Sequence, residues 1–125
     1  MRELRSRVQA QLPGVKAEER ICGKNNLAVD FYLPEQSTVV EVALSLRNPL
    51  SEFEKDILKV LMANELGFKI KRLVFISKPG ARKRRAQPGS AALVKWAKRV
   101  HGLTIEIHEI GAVQQQDEAD KARAG

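Results

Sequence analysis

Residues 27–44 read LAVDFYLPEQSTVVEVAL, two β-branched and aromatic runs on either side of Pro34, Glu35, Gln36 and Ser37, which suit a turn. A four-residue loop closes such a pair into a hairpin with Leu33 opposite Thr38, and counting outward sets Asp30 against Glu41. Directly opposed side chains have Cβ atoms about 4.5–5.5 Å apart, and like charges there repel. A cation between the carboxylates relieves them, and a hard divalent ion with oxygen ligands is the economical choice; otherwise one carboxylate keeps a proton at a raised pKa. The simpler reading is two acids splayed into water. The neighbours weigh against it. Alternation puts Val29, Phe31, Val40 and Val42 on one face and surrounds the acids with Ala28, Tyr32, Val39 and Ala43 on the other. A face of that composition is covered, so the acids are expected to be at least partly desolvated.

Working outward, residues 1–12 form an amphipathic helix with Leu4, Val8 and Leu12 on one side, stopped by Pro13-Gly14. VKAEERIC (15–22) alternates as a strand and GKNN (23–26) turns into the hairpin. After Asn48-Pro49, Ser51 suits an N-cap with Glu54 completing a capping box, and the helix runs to Leu66 before Gly67. IKRLVFIS (70–77) is short, β-branched and almost wholly apolar, as expected of a buried parallel strand reached by a helical crossover. KPGARKRRAQPG (78–89) reads as a basic loop. Ser90 caps a second helix with Leu93, Trp96, Ala97 and Val100 in a stripe, and LTIEIHEI (103–110) is the last strand. Residues 111–125 are polar and expected to be disordered, leaving 1–110 as one domain. The expected architecture is α/β, a single domain in the order αβββαβαβ, with a mixed central sheet flanked by helices on both faces.

The 125 residues carry a formal charge of +7, and its distribution says more than its size. From Leu66 to Ile105 there is no acid, against eleven Lys and Arg residues. That asymmetry points to a polyanion, with nucleic acid as the expected partner. No stretch has the roughly 18–20 apolar residues of a membrane span, and the amino-terminal residues lack the apolar core of a secretory signal. No membrane association is expected. Cys22 is the single cysteine, which rules out an internal disulfide or a cysteine-based zinc cluster and fits the reducing cytoplasm. Packing is its expected role. His101 and His108 lack ligand spacing to a partner and read as structural or surface residues, and Trp96 reads as core.

With the element order and the Asp30/Glu41 pair in hand, the chain resembles the PD-(D/E)XK nuclease superfamily, the restriction-endonuclease-like fold that includes archaeal Holliday junction resolvases. The resemblance spans roughly residues 1–110. It implies Mg²⁺ (or Mn²⁺) bound by Asp30 as the acid of the second core strand and by Glu41 as the acid of the third, with Glu3 as the helix acid. It further implies hydrolysis of phosphodiester bonds in nucleic acid, DNA above all, with Lys78, Arg82, Lys83, Arg84, Arg85, Lys95, Lys98 and Arg99 holding the backbone. The family's Glu-x-Lys is broken here, because Glu41-Val42-Ala43 puts alanine where a lysine would reach the scissile phosphate. Some superfamily members are similar in this, taking the lysine from the following helix; others have lost catalysis.

The helix after the hairpin supplies the candidates. On a helical wheel Phe53, Ile57, Leu58, Val60, Leu61 and Met62 form an apolar arc with Glu54 near its centre. Glu54 is thus either spent in the capping box or aimed at the metal site as a third catalytic carboxylate. Lys55 and Lys59 fall on the far side, where ordinary surface pairs form; they stand behind Glu54 as candidates for the missing lysine, which periodicity does not favour. Two functions stay open: a metal-dependent nuclease, and a non-catalytic nucleic-acid-binding module on the same fold. An RNA-binding subunit of a larger assembly is more distant. Oligomeric state, including a homodimer, is open too.

Overall fold

The computed structural model describes residues 2–23, 27–43 and 49–109, with Arg2, Glu3, Pro49, Arg84 and Arg85 described in their backbone alone. The expected tail (111–125), the expected helix acid Glu3 as a side chain, and the side chains of Arg84 and Arg85 lie outside this description. The elements are α1 (Arg2–Gln11), β1 (Ala17–Glu19), β2 (Val29–Leu33), β3 (Thr38–Val42), α2 (Pro49–Glu65), β4 (Arg72–Ser77), α3 (Ala81–Arg85), α4 (Pro88–His101) and β5 (Thr104–Glu109). Five strands form one sheet in chain order. The first three meander antiparallel, and β3, β4 and β5 run parallel, each parallel neighbour being reached through helix.

The hairpin has the expected register, Leu33 opposite Thr38 and Phe31 opposite Val40. Its turn is a single 3₁₀ turn, Pro34–Gln36, closed by Ser37 in the left-handed region at φ 51°. Two cores lie on the two faces of the sheet. Leu4 and Val8 of α1 pack with Phe31, Val40, Val42 and Val74; Phe53, Ile57, Val60 and Ala97 pack with Val39, Leu73, Phe75, Ile105 and Ile107. Strand alternation divides the sheet residues between them. Val29 departs from the expectation and joins the second core. The pairing of β2 with β3 stops at Phe31, so the alternation counted from the turn does not carry past it.

Three helix expectations are corrected. α2 starts at Pro49, not after Ser51; proline at a first helical position sacrifices no hydrogen bond, and Ser51 is inside the helix rather than capping it. The basic loop contains the short helix α3. α4 likewise begins at Pro88, with Gln87 rather than Ser90 at the N-cap, and ends as expected at Gly102 in the left-handed region.

Candidate carboxylate and lysine centre

The backbone pairing of β2 with β3 ends at Phe31 and Val40, and Asp30 and Glu41 are the next residues along the two strands. There the backbone ladder gives way to side chains: Val42 N–H donates to Asp30 Oδ2 at 2.7 Å. Asp30 Oδ1 lies 3.0 Å from Arg5 Nη2, reaching over from α1. Both acids are buried, as their apolar neighbours required. The Glu41 carboxyl is pushed up to about 9, first by burial, then by the charges of Asp56 and Asp30, with Lys59 opposing. At neutral pH one carboxyl of the pair holds a proton.

α2 brings two further groups. Asp56 is buried against the same centre, and burial above all raises its pKa, with Lys59 and Lys55 pulling the other way. Lys59 Nζ donates to the Ala28 carbonyl at 2.8 Å and stands 3.4 Å from Asp56 Oδ1 and 3.9 Å from Glu41 Oε1. Glu41 Oε1 and Asp56 Oδ1 nevertheless lack a hydrogen bond. Among the described residues, Asp30, Glu41 and Asp56 have Arg5 and Lys59 as ion-pair partners, with Lys55 acting on Asp56 from further off. The raised Glu41 registers its burial first and the neighbouring carboxylates second. Burial, followed by the charge of Asp56, also raises Glu52, and burial raises the Cys22 thiol.

Lys59 sits where the sequence reading did not put it, and so does Glu54. The sheet-facing side of α2 carries Phe53, Asp56, Ile57, Val60 and Ala63, an arc centred about 100° from the one expected. Leu58 and Leu61, which pulled that expectation round, face a groove with Leu50 and with Leu93 and Trp96 of α4. Glu54 lies in the same groove, exposed, outside both the carboxylate centre and the expected capping box. Trp96 lines it too, 36% exposed rather than core. Ala43 packs beside the second core, its N–H donating to the Ile76 carbonyl at 2.9 Å.

The basic residues fall into two groups along β5, one toward its carboxyl half and one at its amino end. Lys78, Arg82 and Lys83 are exposed at the carboxyl end of the parallel strands, the end that carries Glu41. Arg82 Nε donates to the Ile107 carbonyl at 3.2 Å and lies 3.8 Å from Glu109 Oε1, which also accepts from Gly80 N–H through its other oxygen. Lys95, Lys98 and Arg99 line a hollow of about 410 Å³ with Val94, Thr104 and Ile105 at the amino end. Lys98 Nζ donates to Thr104 Oγ1 at 3.1 Å. His108 is exposed, 3.4 Å from Glu106, and His101 packs edge-on to Trp96.

Asp56 and Arg5 are the residues the sequence reading missed, and Lys59, a second-choice candidate, was expected on the wrong side of the helix. An acid and a lysine three apart on the flank of Phe53 and Val60 were a usable signal for Asp56 and Lys59; for Arg5 the signal was its place beside Leu4 on the buried stripe of α1. Among the described residues no three of His, Cys, Asp and Glu converge as a metal-ligand set. The donors present are all the same hard carboxylate type, two opposed acids with the orphaned oxygen Glu41 Oε1. They suit Mg²⁺, which is held by one or two carboxylates and keeps several waters. No family model matches the chain, and neither a curated protein nor a solved structure matches it. No described helix is long and apolar enough to cross a membrane.

Proposed function

We propose that the protein is a divalent-metal-dependent nuclease on a restriction-endonuclease-like core, acting on nucleic acid, DNA first. The observation that carries this reading is Lys59, whose ammonium approaches Glu41 from the following helix and supplies the cation that Ala43 does not. Asp30 and Glu41 would hold Mg²⁺, which when bound supplies a Lewis acid that activates water and offsets charge on the phosphate. Glu41 gives up its proton to become a ligand. Lys59, tethered by Asp56 and the Ala28 carbonyl, is positioned to stabilise negative charge as the water oxygen bonds phosphorus and the ester oxygen departs with a proton. Lys78, Arg82 and Lys83 hold the backbone beside the centre, a sequence-independent contact.

The burial of Lys59, its side chain 12% exposed, favours the other reading, a nucleic-acid-binding module whose ion cluster is structural. Incubating the purified protein with plasmid, single-stranded and four-way-junction DNA, with and without Mn²⁺, separates the two. The nuclease reading expects Mn²⁺-dependent cleavage, reduced about 10²–10³-fold in Lys59→Met and abolished in Glu41→Gln, with DNA affinity kept. Binding without cleavage on every substrate would leave the module.

A further inference from the structure

Both carboxylate oxygens of Asp30 are engaged. Oδ2 accepts from Val42 N–H and Oδ1 is covered by the Arg5 guanidinium. A cation reaching this carboxylate meets a cation already there. The same guanidinium has a second anchor: Arg5 Nη1 lies 3.2 Å from Glu18 Oε1 on β1. Glu18 has φ 55°, a left-handed conformation uncommon for a residue with a side chain, and a surrounding structure must hold it there. Its side chain is 69% exposed against 12% for Asp30. The Arg5 Nε between these contacts is buried without a partner, so the guanidinium spans two carboxylates without being saturated by either.

We infer that Arg5 is a displaceable counter-ion of Asp30, shared with Glu18, and that a divalent cation enters the carboxylate pair by exchange with it. The inference rests on reading Asp30 and Glu41 as a divalent-cation site. When the ion takes Asp30 Oδ1, the guanidinium keeps its contact with Glu18 and moves toward water, where an arginine is readily solvated. Arg5 is therefore a positioning residue that sets the threshold of metal binding and is not itself a ligand. Two substitutions have opposite signs. Arg5→Gln removes the competing charge and tightens metal binding; Glu18→Gln removes the second anchor, leaves Arg5 to Asp30 alone, and weakens it. A unit charge about 4 Å from a divalent ion, screened as fully as in bulk water, changes affinity by more than tenfold.

Mn²⁺ binding without DNA, followed by calorimetry and by the free-Mn²⁺ resonance signal, tests this in wild type, Arg5→Gln, Glu18→Gln and Asp30→Asn. The expected result is Kd at least tenfold lower in Arg5→Gln, higher in Glu18→Gln, and no binding in Asp30→Asn. Equal or weaker binding by Arg5→Gln overturns the exchange, as does tighter binding by Glu18→Gln. If Arg5→Gln fails to fold by circular dichroism, the exposed Glu18→Gln still decides. If wild type binds Mn²⁺, Asp30→Asn does not, and Arg5→Gln equals wild type, the exchange alone falls. If no variant binds Mn²⁺, the cation-site reading falls with it.

Discussion

Two ion clusters sit at opposite ends of the parallel strands, and they are built in opposite ways. At the amino end Arg72 of β4 meets Glu106 of β5 through two hydrogen bonds, 2.6 and 3.3 Å, at the half-exposed surface. Each charge favours the other: the Arg72 hydrogen bonds lower the Glu106 pKa, and those to Glu106 raise that of Arg72. At the carboxyl end Asp30, Glu41 and Asp56 are buried with too few cations, and Glu41 is driven the other way, up to about 9. One cluster is complete; the other is short of positive charge. A group held in its uncomfortable protonation state is a mark of functional sites more often than of scaffolding.

The largest test is the pH dependence of stability. Glu41 binds its proton more tightly folded than unfolded, so stability falls as pH rises through the window from the ordinary carboxylate range to about 9. Burial raises Asp56 and Glu52 as well, which steepens that fall. Urea unfolding at pH 5 and pH 8 should show it, and Glu41→Gln, which cannot ionise, should remove its main part, on the order of a few kcal/mol at pH 8. A wild type as stable at pH 8 as at pH 5 would erase the contrast between the clusters.

The middle test concerns the cations beside each cluster. Arg82→Ala with Lys83→Ala, near the carboxylates, should lower both DNA affinity and cleavage per bound molecule. Lys95→Ala, Lys98→Ala and Arg99→Ala together, at the amino end, should lower affinity alone. Each lost phosphate contact should reduce the slope of log K against log salt by about 0.9 on B-DNA. Unchanged slopes would take these residues off the binding surface. The smallest effect is expected of Glu106→Gln, about 0.2–1 kcal/mol, since exposed pairs are screened. Its sign is opposite to that of Glu41. A lowered pKa contributes stability above the ordinary carboxylate range that is lost as pH falls through the folded value beneath it.

Much of this arrangement was legible in the residues. Loop length and β-branched runs matched the hairpin and its register from Leu33/Thr38 to Phe31/Val40; Asp30 and Glu41 do come close, but the backbone pairing that was to oppose them stops one residue short. The rotation of α2 was not legible, because the helix carries two apolar stripes, one for the sheet and one for the groove against α4, and a wheel averages them. That averaging moved Glu54 inward and Lys59 outward. Long cationic side chains add a second obstacle. Arg5 and Lys59 act some distance from their own backbones, so their partners depend on how α1 and α2 cross the sheet, which local pattern does not encode. The basic residues were legible as a block in sequence, but the strand between them divides it in space.

Among the described residues β5 is the last strand of the sheet, and Thr104 N–H is bonded to the Lys71 carbonyl, so by alternation Ile105, Ile107 and Glu109 turn their backbone groups outward. An open strand edge invites a strand from another molecule. Arg82 occupies the Ile107 carbonyl midway along that edge. The guanidinium that occupies this edge carbonyl is also one of the exposed cations of α3, so a substitution at Arg82 changes edge protection and surface charge together.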